Sequence, residues 1–223
     1  MEEDASVTEA TLQALEGLRD LTTFKWYGIT LLLIVFYIYS KEIRLARKTG
    51  NWDALFCALA VFGMDFFNET WNGWVMHLTG YSAFWTVPGE TALRTMVGWN
   101  LEIMFMFSLA GFVFYYSLSE STKEKILGLP EKWVMAVFLA AFAVFVECLL
   151  NIGGHLVWVY PFWNLSFKGI WLIFLIGYFH FFCAAIWVIT RKTMKAKLTI
   201  LAGIYLLPII MNILAFGILG WTY

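Results

Sequence analysis

WVMAVFLAAFAVFVECLLNIGGHLVW, residues 133–158, decides the fold class: it contains no Lys or Arg, and its acidic residue is Glu147. About 20 predominantly apolar residues suffice to cross the hydrocarbon core of a bilayer as one helix. A helix apolar on every side has to be buried in a large core or in a membrane. Working outward in both directions, runs of the same kind predict further spans over 24–40, 54–79, 92–118, 168–190 and 198–220. The chain has 223 residues, of which 61% are hydrophobic and 14% charged. That length holds roughly six spans and leaves no room for a second domain. The expected fold is therefore all-α, a polytopic transmembrane helical bundle over residues 23–223, preceded by an outer segment over 1–22.

The loops set a topology. Lys41, Arg44, Arg47 and Lys48 follow span one, Lys123, Lys125 and Lys132 follow span three, and Arg191, Lys192, Lys195 and Lys197 follow span five. Basic loops stay cytoplasmic. The alternate loops carry Arg94 and Lys168 and little else, so both termini are expected on the non-cytoplasmic side. Within the first segment, Val7, Leu12, Leu15 and Leu18 fall at helical spacing among acids, which reads as a short amphipathic surface helix or a frayed tail. That segment lacks the basic and apolar regions of a cleavable signal peptide.

Composition excludes several classes. A net charge of −1 offers no concentrated basic surface for nucleic acid. Cys57, Cys148 and Cys183 sit in apolar runs without a CxxC, which argues against a disulfide framework or structural zinc. No HExxH, GxSxG or P-loop occurs, and the last span has no Lys for a retinal Schiff base.

The informative residues are ionisable groups inside the spans, where each costs from about 2.5 to more than 10 kcal/mol. Counting about 1.5 Å per helical residue places Glu69, Glu102, Glu147 and His180 in one layer, roughly 15–18 Å below the outer surface. No Lys or Arg lies near the middle of any span, so these carboxyls are expected to be protonated, to share a proton or to bind a divalent metal. Asp65, Glu69 and Asn72 form one helical stripe, Glu147 and Asn151 a second, and Asn100 lies close to Glu102. His77 and His155 are a further 12 Å or so toward the outside and are expected to line an entrance. Trp71 and Trp158 read either as packing or as aromatic walls able to stabilise a cation.

Two further patterns stand out. A shift of 78 positions superimposes Glu69 on Glu147, His77 on His155, Phe84-Trp85 on Phe162-Trp163 and Glu102 on His180. The outer loops GYSAFWTVPGE (80–90) and VYPFWNLSFKG (159–169) are rich in aromatics, which either anchor the bundle at the interface or roof an outward-opening cavity.

Glu69, in the second span after a basic loop, resembles the catalytic arrangement of the integral-membrane terpene cyclases of meroterpenoid pathways. The resemblance stops there, because such a protein would need an acid in a late span and spans five and six contain no Asp or Glu. Three readings follow. In the first, the chain is an integral-membrane enzyme acting on an apolar or lipid-like substrate, with Glu69, Glu102, Glu147 and His180 as acid/base groups or as ligands of a divalent metal. In the second, it is a proton or cation transporter or channel using the same carboxylates. In the third, it is a non-catalytic subunit of a membrane complex. Expected partners are membrane lipid and a hydrophobic small molecule, with an oligomer or larger complex left open.

Overall fold

The computed structural model describes residues 7–119 and 124–223. A short helix α1 (Glu9–Leu15) and a 3-10 turn (Leu21–Thr23) precede six longer helices: α2 (Tyr27–Thr49), α3 (Asp53–Thr79), α4 (Leu101–Tyr116), α5 (Glu131–Ile152), α6 (Phe167–Ile189) and α7 (Met194–Ile218). Two small hairpins complete the chain, β1 (Arg94–Met96) with β2 (Trp99–Asn100) before α4, and β3 (Lys125–Ile126) with β4 (Leu129–Pro130) before α5. Helices α5, α6 and α7 are long and apolar enough to cross a membrane. Helix α4, at 16 residues, is apolar but shorter.

Local chemistry explains the helix ends. Asn100, Ser166 and Thr193 start α4, α6 and α7 by accepting a hydrogen bond from the backbone three residues on, at 2.9, 3.2 and 3.2 Å. Gly80, in the left-handed conformation at φ 62°, stops α3 and turns the chain into the long loop 81–100.

Helix α3 is the centre of the molecule, with α4, α6 and α7 packed around it. Its small residues Cys57, Ala58, Ala60 and Gly63 allow that closeness. Around this axis the polarity of a soluble protein is absent. Phe138, Phe142, Phe145 and Leu149 of α5, Leu33 and Phe36 of α2, and Leu206, Leu207 and Ile210 of α7 all point outward and are exposed. Such faces suit hydrocarbon and not water.

Three expected boundaries move. Span one, expected over 24–40, runs on to Thr49, so Lys41, Arg44, Arg47 and Lys48 lie in α2 and not in a loop. Residues 92–100, assigned to span three by their apolar character, instead lead into and form the β1–β2 hairpin, and span four ends at Ile152 and not at 158. Hydropathy counts apolar residues whether they face lipid or are folded back into the protein, and here the loops fold back. Trp85, Val87, Val97, Trp99 and Trp163 are all buried. Thr86 and Val157 exchange backbone hydrogen bonds of 3.0 and 2.9 Å, which ties loop 81–100 to loop 153–166 across the end of the bundle. Of the two readings of the aromatic loops, the roof describes their geometry. The last described residue, Tyr223, is also buried, its ring seated on Gly73.

Arg94 staples the roof. It is 8% exposed and donates to the carbonyls of Val87, Pro88, Gly89 and Glu16 at 2.6–3.0 Å and of Gln13 at 3.4 Å. Segment 7–23 is held to the same end by Thr8, which donates its backbone N–H to Tyr81, and by Thr11, whose hydroxyl meets Ser82 at 2.8 Å. Arg94→Met leaves this set of carbonyls unmatched, and at about 1–3 kcal/mol for each buried one the roof should loosen by several kcal/mol. Protease digestion should then cut 81–100 in the variant and spare it in the parent. Equal resistance would show that the guanidinium is not what holds the loop.

Candidate functional site

Beneath the roof lies a cavity of about 280 Å³, walled by Phe107, Leu139, Phe181 and Phe182 and carrying three carboxylates, Asp65, Glu69 and Glu147. All three are at least 96% buried. Each is held by one indole N–H: Trp99 donates to Asp65 at 2.8 Å, Trp85 to Glu69 at 2.7 Å and Trp158 to Glu147 at 3.0 Å. Tyr178 of α6 lines the same cavity. Helical spacing on α3 puts Asp65 and Glu69 on one face, and α5 brings Glu147 from the opposite wall. The three indoles come from the roof, so the same loops that close the bundle also orient its acids.

The cavity opens sideways. Helices α4 and α5, which form two of its walls, scarcely touch. The lining residues Met106, Val113 and Phe142 on these helices are about half exposed on the apolar outer face.

Glu102 and His180 stand outside this cluster, contrary to the depth arithmetic. Because α4 starts at Leu101, Glu102 lies in its first turn and not midway along a span. There it accepts from Tyr27 and Thr91 at 2.5 Å each and from the Ala92 backbone at 2.8 Å, which closes the loop onto the helix. His180 does not line the cavity. It follows a π-helical stretch of α6 (Ile173–Phe179) and faces Asn68 Oδ1 at 3.1 Å through Nε2. Asn68 directs its amide nitrogen at the Ile176 and Gly177 carbonyls, 3.3 and 3.0 Å away. Its oxygen can therefore only accept, which it does from Trp71 Nε1 and from the His180 Nε2–H tautomer, while His180 Nδ1 faces the Leu175 carbonyl at 3.3 Å. The expected ligand set of Glu69, Glu102, Glu147 and His180 does not converge, and among the described residues no three His, Cys, Asp or Glu are placed to hold a metal ion.

The other expected residues have structural partners. Asn72 mimics a strand, donating to the Trp85 carbonyl at 2.8 Å and accepting from the Phe84 N–H at 2.8 Å. Asn100 caps α4, and Asn151 closes the turn after α5 by donating to the Leu156 carbonyl at 2.9 Å. His77, expected at an entrance, stacks on Trp221 at 4.8 Å and binds the Thr222 backbone. His155 is exposed at the end of α5. Trp71 donates to Asn68 at 3.0 Å, and Trp158 is the donor to Glu147. Trp85, Trp99, Asn68 and Tyr178 received no site role from sequence reasoning, although Trp85 belongs to the 78-residue pattern and Trp99 reads as packing. Their number along the chain carried no signal, since the two tryptophans reach their carboxylates from a loop.

Asn68 is the hub of the α3–α6 contact. Asn68→Leu would strand two carbonyls of the π stretch together with the Trp71 and His180 donors, a loss of about 2–4 kcal/mol. Denaturant unfolding in detergent checks it, and an unchanged midpoint would show that the hub carries no stability.

Comparison with known proteins gives a family and a relative. No solved structure matches the chain. A protein of Archaeoglobus fulgidus, described as an uncharacterized protein, is 41% identical over 214 residues, covering 96% of this chain and 99% of its own. A family model described as "Uncharacterized membrane protein family" matches residues 8–217. With nearly its whole length matched, this chain belongs to that membrane protein family.

Proposed function

We propose that the chain is an integral-membrane enzyme that draws an apolar, lipid-like substrate sideways into the cavity and transforms it by proton transfer among Glu69, Glu147 and Asp65. The observation that carries this reading is the pairing of three buried carboxylates with one apolar cavity that opens between α4 and α5. Ionisable groups at such depth are costly, and a purely structural role would not require them to face a space large enough for a ligand. One carboxyl gives its proton to a carbon of an alkene, a second carboxylate removes a proton from the resulting cation, and the aromatic walls stabilise the positive charge between the two steps. No net oxidation occurs and no leaving group is required. In this reading all six long helices cross the bilayer, with the basic loops on the cytoplasmic side and both termini on the other.

Proton transfer to carbon can be tested without knowing the substrate. The purified protein is reconstituted with total membrane lipid of Archaeoglobus fulgidus in deuterated water. Mass spectrometry should find a lipid species gaining deuterium at carbon in a protein-dependent manner. Absence of any such species, with the protein folded, would overturn the enzyme reading.

A second reading has one observation in its favour. Helices α6 and α7 both contain π-helical stretches (Ile173–Phe179 and Ile213–Ile218), and α7 also contains Pro208. Broken helices at membrane depth are common where ions bind. Proton flux in proteoliposomes, lost on Glu69→Gln, would favour a transporter using the same carboxylates.

A further inference from the structure

Four buried side-chain polar atoms have no hydrogen-bond partner among the described residues, and two belong to residues lining this one cavity: Glu69 Oε2 and Trp163 Nε1. Neither residue reaches solvent, Glu69 being 3% exposed and Trp163 1%. Leaving such an atom unmatched is unfavourable, and in native proteins each instance calls for an explanation.

The two residues are linked through a shared neighbour, Trp85. Trp163 stacks on Trp85 with ring centroids 5.7 Å apart and an interplanar angle of 28°, and Trp85 is the residue that donates to the other oxygen of Glu69. Under the 78-residue correspondence Trp163 is the counterpart of Trp85 and Glu147 the counterpart of Glu69. Trp85 spends its N–H on Glu69, but Trp158 takes the equivalent place on Glu147, and the Trp163 N–H is left over. Away from this corner the lining is apolar and leads to the gap between α4 and α5.

Resting on the substrate-cavity reading above, we infer that the ligand is a hydroxyl-headed lipid whose oxygen sits between Trp163 Nε1 and Glu69 Oε2 while its hydrocarbon chain leaves between α4 and α5. A hydroxyl is the smallest head that satisfies both atoms. Its oxygen accepts from the indole N–H, and its proton goes to the carboxylate. If Glu69 is protonated, the second lone pair of the same oxygen accepts from the acid. A saturated hydrocarbon satisfies neither atom. An ether satisfies the indole and a protonated Glu69, but it has nothing to donate to the carboxylate form, so only the hydroxyl matches the corner in both charge states. Selectivity of this kind arises because rejecting the wrong head leaves buried groups unpaired.

The test uses three probes of matched length, dodecan-1-ol, methyl dodecyl ether and dodecane, each isotopically labelled and bound at equilibrium to the full chain in nanodiscs. The alcohol should bind about tenfold more tightly than dodecane at any pH, and about tenfold more tightly than the ether at alkaline pH, where Glu69 is a carboxylate. Trp163→Phe keeps an aromatic ring in the stack and removes the N–H together with part of the indole, so it should erase the preference for the alcohol and leave alcohol and dodecane bound alike. The smaller ring lowers the melting temperature of this buried position somewhat, and retained dodecane binding by the variant separates loss of recognition from loss of fold. Equal binding of all three probes would overturn the hydroxyl inference and leave the cavity reading standing. An alcohol preference that survives Trp163→Phe would also overturn it. Failure of every probe to bind would overturn the cavity reading itself.

Discussion

Gly111→Val should abolish the folded protein. A Cβ at position 111 would lie 2.4 Å from the Ala58 Cα, 2.5 Å from the Cys57 carbonyl oxygen and 2.7 Å from the Ala58 nitrogen. All three are backbone atoms of α3, so no side chain can rotate to make space. Helices α3 and α4 would have to separate along the contact that supports one wall of the cavity. Small residues at helix crossings in membranes act through such close backbone approach. Overpacking usually costs about 1–3 kcal/mol where side chains can relax, and this site has no such relaxation, so a loss above about 4 kcal/mol is expected. Gly203→Ala supplies the control, because a Cβ there meets nothing within 4 Å. Size-exclusion profiles and thermal melts in detergent would measure both. A Gly111→Val protein with the parent's melting temperature would mean that the α3–α4 contact is looser than the geometry shows.

The second large effect concerns chemistry. Glu69→Gln should lower protein-dependent deuterium incorporation into lipid by about 10²–10⁴-fold, the usual contribution of a positioned acid or base. The substitution preserves shape, and the amide oxygen can still accept from Trp85 Nε1, so the roof stays closed. What is lost is the exchangeable acidic proton. Glu69→Ala is a poorer probe, since it strands the Trp85 indole and mixes loss of chemistry with loss of structure. Glu102→Gln, in a residue that serves the loop and does not line the cavity, should leave incorporation within about twofold of the parent and so report on the placement of the site. Full incorporation by Glu69→Gln would remove that residue from the proton-transfer role.

The fold class and part of the site were legible along the chain. A run such as 133–158 has one physical solution in its favour, because an apolar helix with no polar face cannot be covered by water. Cost alone singles out Glu69 and Glu147, since a carboxyl among apolar neighbours has to be compensated by something. The placement of Asp65 beside Glu69 also follows from helical periodicity. Each of these inferences depends on residues within one helix, where sequence separation translates directly into distance.

Glu102, His180 and the indole donors show where that translation ends. Depth counted from a span's expected start fails once residues 92–100 form a hairpin, and nine residues of error move Glu102 from the middle of a helix to its first turn. His180, which follows the π stretch of α6, faces Asn68 and not the cavity. The sequence by itself determined that apolar helices would bury a few carboxyls in the membrane protein. Only the tertiary structure decided that loops 81–100 and 153–166 fold inward, so that Trp99, Trp85 and Trp158 each meet an acid and Trp163 meets none. The reason is physical: hydropathy records how much a residue avoids water, and both lipid and a protein interior satisfy that preference.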